Sequence, residues 1–206
     1  MKSVAPRAAN PLDGWRGKRA RLSYAYEVTL GKMLDTAKNP PDGAIPLPYI
    51  RAANIQDSGL SLLDLKTMPF SPSESAHLDL RAGDLLVVEG GAVGTAVRLD
   101  RDLPGLSFQK TVNRIRARST ASTRMLAYTL RCYRDARYFE ALCSGSTFAH
   151  LTTEKLAALA IPDPPQQEQE AIADFLDEQT SRLDTLIAKQ GGVKWWVHQL
   201  MPGVGG

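Results

Sequence analysis

The 206 residues are 43% hydrophobic and 23% charged with a formal net charge of +3, the balance of an ordinary globular chain rather than a disordered one. No eighteen apolar residues run together and residues 1–21 lack the apolar stretch of a signal peptide, so a cytoplasmic protein without a membrane span is expected. Cys132 and Cys143 stand roughly 16 Å apart in one helical stretch, too far for a disulfide. Neither makes a ligand spacing with His77, His150 or His198, so no metal or other cofactor is expected.

Charge is unevenly spread. Residues 1–21 hold six Lys/Arg against one acid and residues 110–137 hold eight against one, whereas residues 163–190 hold two against seven. A polyanion suits the two basic blocks, and a protein partner suits the acidic one.

In chain order, residues 1–21 are rich in Ala, Pro, Gly and Arg without apolar periodicity, which predicts a flexible basic arm. A strand is expected from Tyr26 to Gly31, then a turn cluster at Lys38-Asn39-Pro40-Pro41-Asp42-Gly43 and a second strand over 47–56. Ser71-Pro72-Ser73-Glu74 reads as a capping box with proline at the first helical position, opening a short helix. Leu85-Leu86-Val87-Val88 has the form of a buried strand ending in a glycine bend at Gly90, Gly91 and Gly94; residues 96–100 and 108–117 follow as further strands. A helix is expected over 123–142 and a shorter one over 152–159, stopped by the stiff linker 161–165.

The 166–190 segment is the plainest element. Ile172, Leu176, Gln179, Leu183, Leu186 and Gln190 are spaced 4, 3, 4, 3, 4, a repeat of 3.5 residues that lays a seam along another helix, with Phe175 and Ile187 widening it. Gly191 and Gly192 are expected to break that helix and to leave 191–206 as an atypical tail.

Catalytic patterns are missing. Asn39-Pro40-Pro41-Asp42 has Asp where an amino-methyltransferase motif needs an aromatic, and Gly90-Gly91-Ala92-Val93-Gly94 fits neither dinucleotide-binding nor P-loop spacing. Pairing Cys143 with His150, or Glu89 with Lys110, as a catalytic dyad finds no supporting motif, so a non-enzyme is expected.

Taken together, PYIRAANIQDSGLSLLDLKTMPFSPSE, GDLLVVEGGAVGTA, FQKTVNRIRA and GSTFAHLTTEKLAALAIPDPPQQEQEAIADFLDEQTSRLD resemble, in order and spacing, the specificity subunits of type I restriction-modification systems. The resemblance implies an α+β, mainly β target-recognition domain with flanking helices over 22–162, and a coiled-coil-forming spacer helix over 163–190. It also implies that the domain reads half of a split site in double-stranded DNA and that the helix docks methyltransferase subunits and, through them, the restriction subunit. The family chain usually holds two such units where this one holds one. A half-subunit pairing as a homodimer through antiparallel helices would read an inverted repeat.

Base reading in the major groove needs Arg or Lys for guanine and Asn or Gln for adenine. Gln109, Lys110, Asn113, Arg114 and Arg116 are the leading DNA-binding candidates, then Arg51 and Asn54. Ser146, Thr147 and His150 form a candidate phosphate clasp beside a helix start. The alternative is a protein-interaction adaptor of the same fold without independent DNA binding.

Overall fold

Leu85-Leu86-Val87-Val88 is apolar without alternation, so a strand made of it must be covered on both faces. The computed structural model describes residues 10–33, 40, 42–143 and 150–200, with the backbone alone over 190–200. Its first half runs through β1 (Arg19–Arg21), α1 (Leu22–Ala25), β2 (Tyr26–Leu30), β3 (Ile45–Ile50), a 3-10 turn at Ala52–Asn54, β4 (Ile55–Gln56), β5 (Gly59–Leu60), β6 (Lys66–Phe70) and α2 (Pro72–His77). Then come β7 (Leu85–Val88), β8 (Ala96–Arg98), β9 (Ser107–Phe108), β10 (Val112–Ala117), α3 (Thr123–Asp135), α4 (Tyr138–Leu142), α5 (Thr153–Ala158), β11 (Ala160–Pro162) and α6 (Gln166–Leu200).

A four-stranded sheet of order β2-β10-β7-β8 lies between helices and a three-stranded sheet of order β6-β3-β9. Period-two alternation sorts the side chains of its inner strands. Leu85, Val87 and Ile115 enter one core with Leu126, Leu130, Tyr133, Phe139 and Leu156 of the helices. Leu86, Val88 and Val112 enter a second core with Ile50, Phe70, Leu80 and Phe108. All four β7 side chains are buried, each stabilising the fold by about 1.5–3 kcal/mol relative to an exposed position. The bend after β7 needs glycine at 94, where φ is +80° and a Cβ would lie 2.3 Å from the Phe139 ring.

Several expectations change. The described part of the arm, residues 10–21, is docked: Leu12 is buried, Arg19 Nη2 donates to the Leu12 carbonyl (2.5 Å), and β1 pairs antiparallel with β11. The strand expected over 47–56 ends at Ile50, because the Asn54 side chain accepts from Arg51 N (3.1 Å) and winds 52–54 into a 3-10 turn. The helix expected over 123–142 divides at Arg137, whose backbone is left-handed with φ 57°. The strand expected over 108–117 is two strands in different sheets, joined by the turn 109–111.

The spacer is longer than expected. α6 runs unbroken through Gly191 and Gly192 for 35 residues, about 52 Å. Its first turns rest on the domain: Ala173 is buried, and Gln169 donates to the Pro164 carbonyl (2.9 Å) while accepting from Ser122 N (2.9 Å). From 181 to 189 every side chain is exposed. Among the described residues no helix is long and apolar enough to cross a membrane.

Candidate nucleic-acid interface

Both β2 and β7 run antiparallel to β10, so their C-terminal ends lie beside its start. β3 and β9 run parallel and deliver Arg51 and Gln109 to the same place. Loops therefore gather at one end of the sheet. The spacer leaves from the other end, where Leu22 N donates to the Leu159 carbonyl and Arg118 N to that of Ala25. The length of β2, about 17 Å, separates the two ends.

The loop end is held by main-chain bonds. Gln109 N donates to the Ile50 carbonyl (2.9 Å), Lys110 N to that of Lys32 (2.9 Å) and Lys32 N to that of Phe108 (3.0 Å). Ala52 N donates to Thr111 Oγ1 (3.1 Å), whose hydroxyl donates to Gln109 Oε1 (3.2 Å). Gly31 permits this approach, since a Cβ there would lie 2.4 Å from the Gln109 carbonyl oxygen. Glu89 N donates to the Thr111 carbonyl, and Leu151 N to that of Glu89. A cavity of about 600 Å³ opens among Leu30, Met33, Glu89, Lys110, Thr111 and His150. Burial pushes the Glu89 carboxyl up, opposed by His150 and Lys110 and reinforced by Glu154.

The expected DNA-binding residues separate into two groups. Lys110 and His150 are exposed at the cavity and Gln109 is half-buried beside it. Asn113 and Arg114 are corrected: β10 lies between the two cores, one on each face, so these side chains point inward rather than outward. Asn113 is fully buried, donating to the Leu151 carbonyl (3.2 Å) and accepting from Thr153 Oγ1 (2.9 Å). Arg114 is 2% exposed; its Nη1 donates to the His77 carbonyl (3.1 Å) and to Asp79 O and Oδ1 (2.6 and 3.0 Å), and its Nη2 to Thr29 Oγ1 (3.3 Å). Arg116 is held by Asp84 through two bonds of 2.7 Å and by Asp79 at 3.0 Å.

Asn54 is likewise buried, donating to the Ser61 and Leu63 carbonyls (3.1 and 3.2 Å), and Arg51 Nη2 pairs with Asp64 Oδ2 (2.5 Å). Both shape the loop: Asn54 is closed inside it, and Arg51 is half-buried against an exposed Asp64. Ser146 and Thr147 lie outside the described residues. So do Asn39 and Pro41 of the Asn-Pro-Pro-Asp turn, residues 1–9 of the arm, and 201–206 of the tail. Glu89 and Thr111, which the sequence did not place among the readers, line the cavity; Glu89 stood out in the sequence as the polar end of an apolar run before two glycines and, with Lys110, as a dyad without a supporting motif. Among the described residues no cluster of three or more His, Cys, Asp or Glu is arranged to hold a metal.

The seam of α6 is divided. Ile172, Leu176 and Gln179 are half-buried, and the first two line an apolar groove of about 290 Å³ with Leu12, Trp15, Met125 and Tyr133. Phe175, Leu183, Leu186 and Ile187 are 56–66% exposed. The basic block has its own partners: Arg124 binds Glu170, Asp174 and Asp177, Arg134 binds Asp57, and Arg137 binds Glu140.

This arrangement is that of a known family. Residues 26–190 match the model of the type I restriction modification DNA specificity domain, and the chain belongs to that family. Three solved structures are similar. A chain from a study of complex assembly and conformational transition in the type I R-M system superposes with TM-score 0.65 at 21% identity, over 95% of this chain and 46% of that one. The HsdS subunit from Thermoanaerobacter tengcongensis gives 0.62 at 20% identity, over 90% and 42%. The S subunit of a type I restriction-modification system from M. genitalium gives 0.52 at 19% identity, over 83% and 41%. At such identity the likeness shows the α+β fold with its long helix, and this chain spans less than half the length of those chains. No curated protein matches the sequence.

Proposed function

We propose that this chain is a DNA-reading unit of a type I restriction-modification system, presenting the loop end of its domain to one half of a bipartite site. The observation that supports this most is the cavity between Lys110, Glu89 and His150, set on a rigid sheet end and facing away from the spacer. Phosphate contacts from Lys110 position the domain, and side chains at the cavity read base edges. α6 docks methyltransferase subunits and, through them, the restriction subunit; no catalytic step belongs to this chain. Titration against fluorescent duplex DNA at several salt concentrations tests the reading. Affinity is expected to fall linearly with log salt by about 0.9 per phosphate neutralised. Absent or salt-independent binding rejects it.

Two copies joined antiparallel along the exposed α6 seam would place identical readers at opposite ends and select an inverted repeat. A methylome from a host holding only this chain and its methyltransferase tests that, an asymmetric site pointing to a second, different domain. One observation favours the adaptor reading instead: Arg114, Arg116, Arg124, Arg134 and Arg137, five of the eight cations of the basic block 110–137, are engaged within the chain. Its signature is methyltransferase capture without DNA retention.

A further inference from the structure

A carboxylate on a surface that meets DNA is an anomaly. Phosphates repel it, and of the groups a duplex offers only the exocyclic amines of its bases attract it. Glu89 is such a carboxylate. Its backbone is fixed from both sides by Thr111 and Leu151, its side chain is half-buried in the cavity wall, and among the described residues that side chain accepts no hydrogen bond. Lys110 lines the same cavity, exposed, and forms no ion pair with Glu89 or with any other described residue. Two opposite charges share one cavity and, among the described residues, neither is neutralised by a direct bond.

The major-groove edge of a cytosine–guanine pair has the complementary pattern. Cytosine offers its N4 amine with no acceptor beside it, whereas adenine sets N7 next to its N6 amine and so repels an anion. Guanine offers O6 and N7, which suit an ammonium. We infer that Glu89 and Lys110 together read one cytosine–guanine base pair, Glu89 accepting from cytosine N4 and Lys110 donating to guanine O6 or N7. This deepens the DNA-reading proposed above and rests on it. His150, at the same cavity, is left for a neighbouring phosphate or base.

Selection from a randomised duplex pool, followed by titration of the winning duplex and its single-pair substitutions, tests the inference with the wild-type chain, Glu89→Gln and Glu89→Ala. The wild type is expected to enrich a motif with an invariant cytosine–guanine pair. Glu89→Ala relaxes that position alone by about 5- to 150-fold and leaves the salt slope unchanged. Glu89→Gln, which keeps the shape but adds a donor, shifts the same position toward adenine. A wild-type motif that both variants reproduce unaltered overturns this inference and leaves the DNA-reading standing. A wild-type chain that enriches no sequence overturns both. Matching thermal unfolding of the near-isosteric Glu89→Gln variant and the wild type excludes misfolding as the cause of a changed motif.

Discussion

Arg124 of α3 and Asp177 of α6 are joined by two hydrogen bonds, from Nε at 3.1 Å and from Nη2, while Tyr128 donates to the other carboxylate oxygen at 2.6 Å. The same guanidinium reaches Asp174 (2.7 Å) and Glu170 (3.2 Å), so one side chain holds three acids on successive turns of the spacer. The acidic start of α6 is thereby spent on the domain itself. Arg124→Ala is expected to lower stability by about 1 kcal/mol, the scale of a partly exposed network. It should also speed amide exchange in the first turns of α6 without affecting the β10 amides. Arg124→Lys restores little, since an ammonium cannot fork between carboxylates. Denaturant titration and hydrogen exchange read both effects.

Lys110 and Arg114 sit four residues apart and should behave oppositely. Arg114→Ala leaves Asp79 short of a partner at the sheet interface and is expected to cost about 3–5 kcal/mol, with any loss of DNA binding following the loss of fold. Lys110→Ala should stay within about 0.5 kcal/mol of wild-type stability while weakening binding and reducing the salt slope by about one. Equal stability losses in the two variants would contradict the assignment.

Acid should release both networks. Burial pushes the Asp79 carboxyl up, but hydrogen bonds from Arg116 and Arg81 outweigh it and hold it below the usual aspartate range; the Tyr128 hydroxyl, with Arg124, does the same for Asp177. A depressed folded-state value stabilises the fold fully above the ordinary aspartate value near ~3.9 and is lost as pH falls through the lower one. Urea midpoints are therefore expected to be flat from about pH 7 to pH 5 for these groups and to fall progressively below that. Asp177→Asn should lower the plateau and make the acid drop shallower; an unaltered drop would exclude Asp177 from it.

On α6, Leu183→Asp and Ala173→Asp separate docking from folding. Leu183 is 58% exposed, so its variant should keep wild-type stability and lose self-association or methyltransferase docking, read by sedimentation. Ala173 is fully buried against the domain, and a carboxylate there should destabilise by roughly 2–5 kcal/mol. Unchanged mass and unchanged methyltransferase binding in Leu183→Asp would reject the exposed seam as an interface.

Local signals in the sequence carried much of this fold. The capping box at Ser71 and Glu74 forms with both bonds, Thr152 caps α5, and the apolar run 85–88 is the doubly covered strand it looked like. What failed was information held by distant residues. Residues 108–117 read as one strand, and nothing local shows that 109–111 passes from one sheet to another. Arg114 reads as a surface cation because its partner Asp79 is 35 positions away, and Asn113 because Leu151 and Thr153 are 38 and 40 away. The arm looked loose because β1 finds its partner only at β11.

The turn from Gln109 to Thr111 is held in place by backbone atoms, by the Thr111 hydroxyl between Ala52 N and Gln109 Oε1, and by the bare α-carbon of Gly31, while among the described residues the Lys110 side chain makes no bond that shapes it. At Lys110 the backbone serves the fold and leaves the side chain free for the recognition proposed above. Exchanging Lys110, or the neighbouring Glu89 whose structural bonds are also main-chain, alters what the cavity attracts and leaves the scaffold intact. If the cavity reads DNA as proposed, new specificities can arise one side chain at a time on an unaltered frame.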